Sequence, residues 1–234
     1  MSNNVIKNND EIIAKKSKNL LERIPTKKNR KQVENALEFS IKMHHGQTRK
    51  SGLPFVSHCI DVANILIDWN MDHTTVVSAL LHDVVEDTEV KLSDIEEEFG
   101  SDVALLVDGV TKVENIAFRS KKHKQAENFT KLFLSLARDL RVIIIKFADR
   151  LNNMETIQYL SSKKRKEIAL ETKEIFVPLA HRLGMAQLKW KLEDLSLKCL
   201  DLRAFNGIKK KIETSSRLNE DILSNAIKPI KSEL

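Results

Sequence analysis

The chain has 234 residues, 41% of them apolar, a formal net charge of +6, and only six Gly and four Pro. That length and apolar content suffice for a real core, and the shortage of turn residues argues against a turn-rich sandwich or barrel, so an all-α fold with little or no sheet is expected. The apolar stretches are short and broken by charges, and no cationic segment followed by an apolar run opens the chain; neither a membrane span nor a secretory signal is expected, and the expected location is cytoplasmic.

Two cysteines, Cys59 and Cys199, cannot form a framework of bridges, and each reads as a small buried hydrophobe. Lys and Arg are interleaved with Asp and Glu, and aromatics make up only 5%. The stacking-plus-cation pattern of single-strand binders is missing, so no nucleic-acid partner is expected. A small anionic ligand would need only a few of the cations.

In chain order, residues 1–27 carry amphipathic spacing (Ile12, Ile13, Leu20, Leu21, Ile24) and stop at Pro25, predicting a short helix ahead of the main domain. Val33, Ala36, Leu37, Ser40, Ile41 and His44 recur at three and four residues, one face of a helix that ends at Gly46. A basic turn, 47–54, follows. Pro54 opens a helix whose inner stripe is His58, Val62, Ile65, Leu66 and Trp69. Asp72 caps the next, with Val76, Ala79, Leu80 and Val84 apolar and His82, Asp83, Glu86 and Asp87 near its end. Ser93 with Glu96 reads as a capping box, Gly100 stops that helix, and 103–107 begins another.

The polar stretch 114–125 reads as a mobile loop, and Phe129, Leu132, Phe133 and Leu136 resume helical spacing. Residues 142–145 resemble a buried strand, but Phe147, Ala148, Leu151 and Met154 continue the spacing without Gly or Pro, so helix is preferred. Ile168, Thr172, Ile175, Phe176 and Leu179 give a helix kinked or ended near Pro178, and Leu188, Leu192, Leu195 and Cys199 give another after Gly184. The domain expectation is an N-terminal helical extension over 1–27, a main domain over 28–205 and a basic helical tail over 206–234.

Chemistry concentrates in His82-Asp83-Val84-Val85-Glu86-Asp87. On a helix, His82 and Glu86 are four apart, as are Asp83 and Asp87, so acidic groups crowd one side of a helix end. Like charges so placed repel, and the interspersed valines argue against full exposure; the segment asks for a cation. Adjacent His82 and Asp83 need further ligands from other helices. His58 lies on an inward stripe, and Asp149, Asn152, Asn153 and Thr156 form a polar row inside an otherwise apolar helix. Taken singly, His58 on an apolar face is more often a hydrogen-bonded core residue than a ligand.

The order His58, His82-Asp83, Asp149 resembles the HD superfamily of metal-dependent phosphohydrolases, which are helical. Longer blocks resemble the hydrolase domain of the RelA/SpoT family: His45-Gly46-Gln47-Thr48-Arg49-Lys50-Ser51-Gly52, Ala79-Leu80-Leu81-His82-Asp83-Val84-Val85-Glu86-Asp87-Thr88, Val107-Asp108-Gly109-Val110-Thr111-Lys112, Lys146-Phe147-Ala148-Asp149-Arg150-Leu151 and Pro178-Leu179-Ala180-His181-Arg182-Leu183-Gly184. The resemblance covers roughly residues 28–205. It implies an HD-type helical bundle and a Mn2+-dependent 3′-pyrophosphohydrolase that converts the alarmones ppGpp and pppGpp to GDP or GTP and pyrophosphate. It implies His58, His82, Asp83 and Asp149 as metal ligands, Glu86 and Asp87 as the pair that activates the nucleophile, and Arg49, Lys50, Ser51, Asn153 and Thr156 as residues lining the nucleotide.

The chain departs from that pattern at three places: Asn152 stands where His is usual, Cys59 where Pro is common and Phe55 where Tyr is usual. Too few residues follow 205 for the synthetase domain of long family members, so alarmone synthesis is not expected, and 206–234 reads as a connector to such a domain. The alternatives are an HD nucleotidase or phosphodiesterase acting on another nucleotide, and a non-catalytic regulatory module that binds nucleotide.

Overall fold

The computed structural model describes residues 3–111, 130, 134 and 137–215, and among these the chain is helical with no strand. The readings for 114–125 and for Phe129, Leu132, Phe133 and Leu136 lie outside the described residues. The chain divides into two compact units, one up to Tyr159 and one from Leu160.

The first unit is built from α1 (Asn3–Glu22), α2 (Lys27–Met43), α3 (Val56–Asp68), α4 (His73–Leu81), α5 (Val84–Asp87), α6 (Leu92–Phe99), α7 (Ser101–Val110) and α8 (Arg141–Glu155). Helices α3 and α4 are at its centre: α3 packs on α4 and α8, and α4 packs on α2 and α7. The core they close includes Ile60, Leu66, Leu80, Leu81, Leu106, Ile143, Ile145, Phe147 and Met154, all fully buried. Residues 142–145 are helical, as the uninterrupted spacing predicts, and α8 buries Val142, Ile143 and Ile145 together with Phe147, Ala148 and Leu151 around most of its circumference, as a helix enclosed by its neighbours does.

Helix α1 is longer than the short helix expected, and it packs against α3. Leu20 and Ile24 are buried, and Lys16 Nζ reaches the Asp61 carboxylate at 2.6 Å while Arg23 donates to Asp68 at 2.5 Å and to Asn64 Oδ1 at 2.8 Å. The N-cap of α2 is Thr26, whose hydroxyl oxygen accepts from Asn29 N at 3.3 Å, and the chain leaves that helix through Gly46 at φ +78°.

Two local expectations are corrected. The cap of α6 is not the Ser93–Glu96 pair: the helix starts at Leu92, and the Asp94 carboxylate accepts from Lys91 N at 2.9 Å. Cys199 is half-buried rather than buried, unlike Cys59.

The second unit contains α9 (Ser162–Glu171), α10 (Val177–Arg182), α11 (Ala186–Leu200) and helical residues 202–215. Between α9 and α10 the chain forms a π turn over Thr172–Phe176, ending two residues before Pro178. Pro178 offers no N–H and its ring crowds the preceding turn, so the wider turn absorbs the missing bond without ending the helical path. Gly184, at φ +73°, separates α10 from α11.

Candidate metal centre

The apolar pattern Val76, Ala79, Leu80, Val84 predicts one helix through residues 76–87, but the structure breaks it. Helix α4 ends at Leu81, His82 and Asp83 form a turn, and α5 restarts at Val84. The cause is the His82 ring: its Nδ1 lies 2.7 Å from Ala79 O, the carbonyl that an uninterrupted helix would offer to the amide of Asp83. The break brings both neighbours to one place, with His82 Nε2 3.2 Å from Asp83 Oδ1.

Two other helices deliver the remaining groups. His58, on the first turns of α3, puts Nε2 3.7 Å from Asp83 Oδ2 and 3.2 Å from Asp149 Oδ1, the latter carried by α8. The His58 and His82 rings are 5.4 Å apart. One donor atom each from His58, His82 and Asp149 lie within 4.8 Å of one another. Both imidazoles are nearly inaccessible, at 3% and 2% exposure, and both carboxylates are largely covered.

The chemistry of this donor set fits a cation. His82 donates its Nδ1–H to Ala79 O and His58 donates its Nδ1–H to Asn152 Oδ1 at 2.7 Å, so each ring turns its Nε2 toward the carboxylates. Among the described residues, the buried His82 Nε2 has no hydrogen-bond partner. A bare nitrogen lone pair facing a carboxylate is repulsive unless a proton or a metal ion lies between them. Two imidazole nitrogens and two carboxylates suit a first-row divalent ion.

The electrostatics of the ion-free cluster follow the same logic. Burial alone would depress the His58 pKa, yet the Asp149 and Asp83 carboxylates outweigh it and hold the value above the ordinary one. Burial would raise Asp149, but its hydrogen bond with His58, the Lys146 charge and the two imidazoles hold it well below the usual carboxylate range. Asp83 is lowered as well, burial being outweighed by His82 and His58.

Cys59 Sγ also lies within 4.8 Å of donor atoms of His82 and Asp83. In the ion-free cluster, burial reinforced by the Asp83 charge pushes its thiol pKa well up.

The basic turn is a small closed loop. Thr48 and Pro54 form an isolated antiparallel bridge, Arg49 N donates to Leu53 O at 2.9 Å, and Gly52, at φ +84°, donates its N–H to Arg49 O. The loop carries Arg49 to α8, where Nη2 donates to Asn153 Oδ1 at 2.7 Å and Nη1 reaches Asn152 Oδ1 at 3.4 Å. Asn153 in turn donates to Asp149 Oδ1 at 2.5 Å. Arg49 and Asn153 are therefore bonded to the cluster.

The other expected residues are placed differently. Lys50 is exposed, Ser51 Oγ accepts from Leu53 N at 3.4 Å, and the Thr156 hydroxyl donates to the Asn152 carbonyl at 2.9 Å. Glu86, half-buried, and Asp87, exposed, stand on α5 directly after Asp83. Gln47 ties that end down, donating Nε2–H to Asp87 O at 3.0 Å and accepting from His44 Nδ1 at 2.9 Å. His44 is the residue that periodicity read only as part of an apolar stripe. It is buried, stacked on Phe55 at 4.8 Å, and its Nε2 has no hydrogen-bond partner among the described residues. A histidine four residues after a serine on an otherwise apolar helix face was the available signal.

A family model described as "HD domain" matches residues 36–186, well over half of the chain. The chain belongs to the HD domain family. HD domain hydrolases are metal-dependent, and residues 36–186 contain all four converging groups. Over 191 residues the chain is 43% identical to a Haemophilus influenzae protein named guanosine-3′,5′-bis(diphosphate) 3′-pyrophosphohydrolase, covering 82% of this chain and 28% of that protein. It is 48% identical over 170 residues to a Synechocystis protein named as a probable enzyme of that kind, covering 73% of this chain and 22% of the relative. It is 43% identical over 191 residues to the Escherichia coli bifunctional (p)ppGpp synthase/hydrolase SpoT, covering 82% and 27%.

The resemblance to the RelA/SpoT family read from the motif blocks is thus borne out, and the chain spans about a quarter of the length of these relatives. Among solved structures, a metazoan ortholog of SpoT described as hydrolysing ppGpp superimposes with a TM-score of 0.59 at 28% identity, covering 74% of this chain and 95% of that one. No helix among the described residues is long and apolar enough to cross a membrane.

Proposed function

We propose that this chain is a Mn2+-dependent 3′-pyrophosphohydrolase of guanosine alarmones, converting ppGpp and pppGpp to GDP and GTP with release of pyrophosphate. The observation that carries the reading is the convergence of His58, His82, Asp83 and Asp149 from three separate parts of the chain, with an oxygen acceptor at each imidazole Nδ1 and each Nε2 facing the carboxylates. The names of the relatives supply the substrate class.

In this reading the four groups would hold the ion through His58 Nε2, His82 Nε2 and carboxylate oxygens of Asp83 and Asp149. When bound, the ion supplies Lewis acidity, lowering the pKa of water and neutralising phosphoryl charge. Glu86 and Asp87, one helical turn past His82 and Asp83, accept and steer the proton of the attacking water. The water oxygen forms a bond to the phosphorus on the ribose 3′ oxygen, the bond between that phosphorus and O3′ breaks, and O3′ leaves with a proton.

Arg49 receives the nucleotide. Its planar guanidinium is braced from behind by Asn153, which leaves the charged fork preorganised for a phosphate or for stacking on the purine. Lys50, exposed and next in sequence, adds a second positive charge, while Ser51 and Thr156 would have to exchange their local backbone contacts for the nucleotide. A single small nucleotide is the partner this reading requires.

Purified protein with Mn2+ should release pyrophosphate from ppGpp and from pppGpp, and EDTA should stop it. Asp83→Ala should abolish turnover while leaving the helical content intact. A folded, Mn2+-loaded protein that leaves both alarmones untouched while hydrolysing another nucleotide would overturn the substrate reading.

A further inference from the structure

Asn152 stands where two halves of the candidate site meet. Its side chain is 5% exposed on α8, and its Oδ1 accepts from His58 Nδ1 at 2.7 Å and from Arg49 Nη1 at 3.4 Å. An amide oxygen has two lone pairs, so one atom can serve both donors. Both partners being donors also fixes the orientation of the carboxamide, oxygen inward.

What that oxygen does to His58 follows from the imidazole. A neutral ring has one N–H to place. In the neutral ring an acceptor at Nδ1 holds the proton there and leaves the Nε2 lone pair free for a cation shared with Asp83 and Asp149. Remove the acceptor and the Asp149 carboxylate, 3.2 Å from Nε2, becomes the only acceptor in this set. The proton then moves to the nitrogen that should hold the ion, and the ring loses the bond that sets its rotation.

We propose that Asn152 is a positioning residue whose single carboxamide oxygen keeps His58 in its metal-binding tautomer and steadies Arg49 for the substrate phosphate. This rests on the metal and nucleotide reading above. It makes cation affinity and nucleotide affinity depend on one side chain acting through His58 and Arg49.

Two variants separate the roles. Asn152→Leu keeps the volume and deletes the acceptor; Asn152→Asp keeps the acceptor and adds a charge. Mn2+ binding is measured on nucleotide-free protein by following the electron spin resonance of free Mn2+, and kcat and KM for ppGpp are measured at saturating Mn2+.

Asn152→Leu should weaken Mn2+ binding by about 10- to 100-fold, the loss typical of removing a partner behind a ligating histidine. Asn152→Asp should bind Mn2+ close to the wild-type value while its KM rises, because the new carboxylate pairs with Arg49 in competition with phosphate. Wild-type Mn2+ affinity in Asn152→Leu, or an equal loss in both variants, overturns the proposal. If Asn152→Leu does not fold by circular dichroism, Asn152→Asp decides alone: a tenfold loss of Mn2+ affinity overturns it. A wild-type chain that binds no Mn2+ removes the metal reading instead, and this proposal with it.

Discussion

His82 donates its Nδ1–H to the carbonyl of Ala79 at 2.7 Å, and that one bond both ends α4 and aims Nε2 at Asp83. His82→Ala therefore removes more than a ligand. It also returns the Ala79 carbonyl to the amide of Asp83 and lets α4 run on, turning Asp83 away. Expected are loss of Mn2+ binding by titration calorimetry and a fall in turnover of at least about 100-fold. Turnover within a few-fold of wild type would show that His82 is not a ligand.

Arg49 is half-buried and bonded to Asn153 at 2.7 Å, so its charge is held in place by the fold itself. Arg49→Lys keeps the charge but cannot span both asparagines, and should behave more like Arg49→Ala than like wild type. For both, KM should rise by about 10- to 100-fold, the equivalent of about 1.5–3 kcal/mol for a hydrogen bond to a charged group, with a smaller effect on kcat. Steady-state kinetics on ppGpp checks this; a kcat effect exceeding the KM effect would move Arg49 from binding to chemistry.

The ion should also stabilise the fold. At a free Mn2+ concentration 100 times its Kd, binding to the native state alone contributes about 2.7 kcal/mol. For a protein of this size that is about 5–10 °C in the melting temperature of the unit that holds it. Calorimetry with and without EDTA should show the shift in wild type and none in Asp83→Ala. An equal shift in both would place the ion elsewhere.

Asp72 caps the helix that leads to His82. Its carboxylate accepts from Thr75 N at 2.9 Å and from the Thr75 hydroxyl at 3.0 Å, and Arg141 lies 3.4 Å away. Partial burial would raise its pKa; the Thr75 bonds and Arg141 outweigh that and lower it. A pKa lowered on folding means stabilisation that is full above the unfolded value and lost as pH falls through the folded one. Asp72→Ala should cost about 1 kcal/mol by urea unfolding at neutral pH, and the gap to wild type should close below the usual carboxylate range. A gap that persists at low pH would assign the effect to packing.

Phe147 is fully buried at the centre of α8, two residues before Asp149. Phe147→Ala should destabilise by about 3–5 kcal/mol and, by loosening the seat of α8, weaken Mn2+ binding as well. Paired denaturation and Mn2+ titrations test both; unchanged stability would mean that the surrounding helices close over the gap.

Much of this arrangement was legible in the sequence because the polar residues interrupt apolar rows at helical spacing. Asp149, Asn152, Asn153 and Thr156 mark the inner face of α8, and His58 marks that of α3, by their positions alone. The helix break at His82 and Asp83 was not legible, since Val76, Ala79, Leu80 and Val84 keep the period and the break depends on a ring turning back onto a carbonyl. The α6 cap was misplaced for a similar reason: Ser93–Glu96 and Lys91–Asp94 have the same spacing, and only the fold decides which carboxylate meets a free amide. The bond between Asn152 and His58 joins residues 94 apart, a separation at which local patterning carries no information.

That separation has a consequence for when the centre comes into being. His58 leaves the ribosome long before Asp149, and at about 5–20 residues per second the interval is several seconds or more. During it, α3 and the α4–α5 turn present two imidazoles and one carboxylate without the closing group. Under the proposed ligand set, a growing chain offers only an incomplete nest, and metal loading becomes an event of maturation, open to competition among whichever ions are free once α8 has docked.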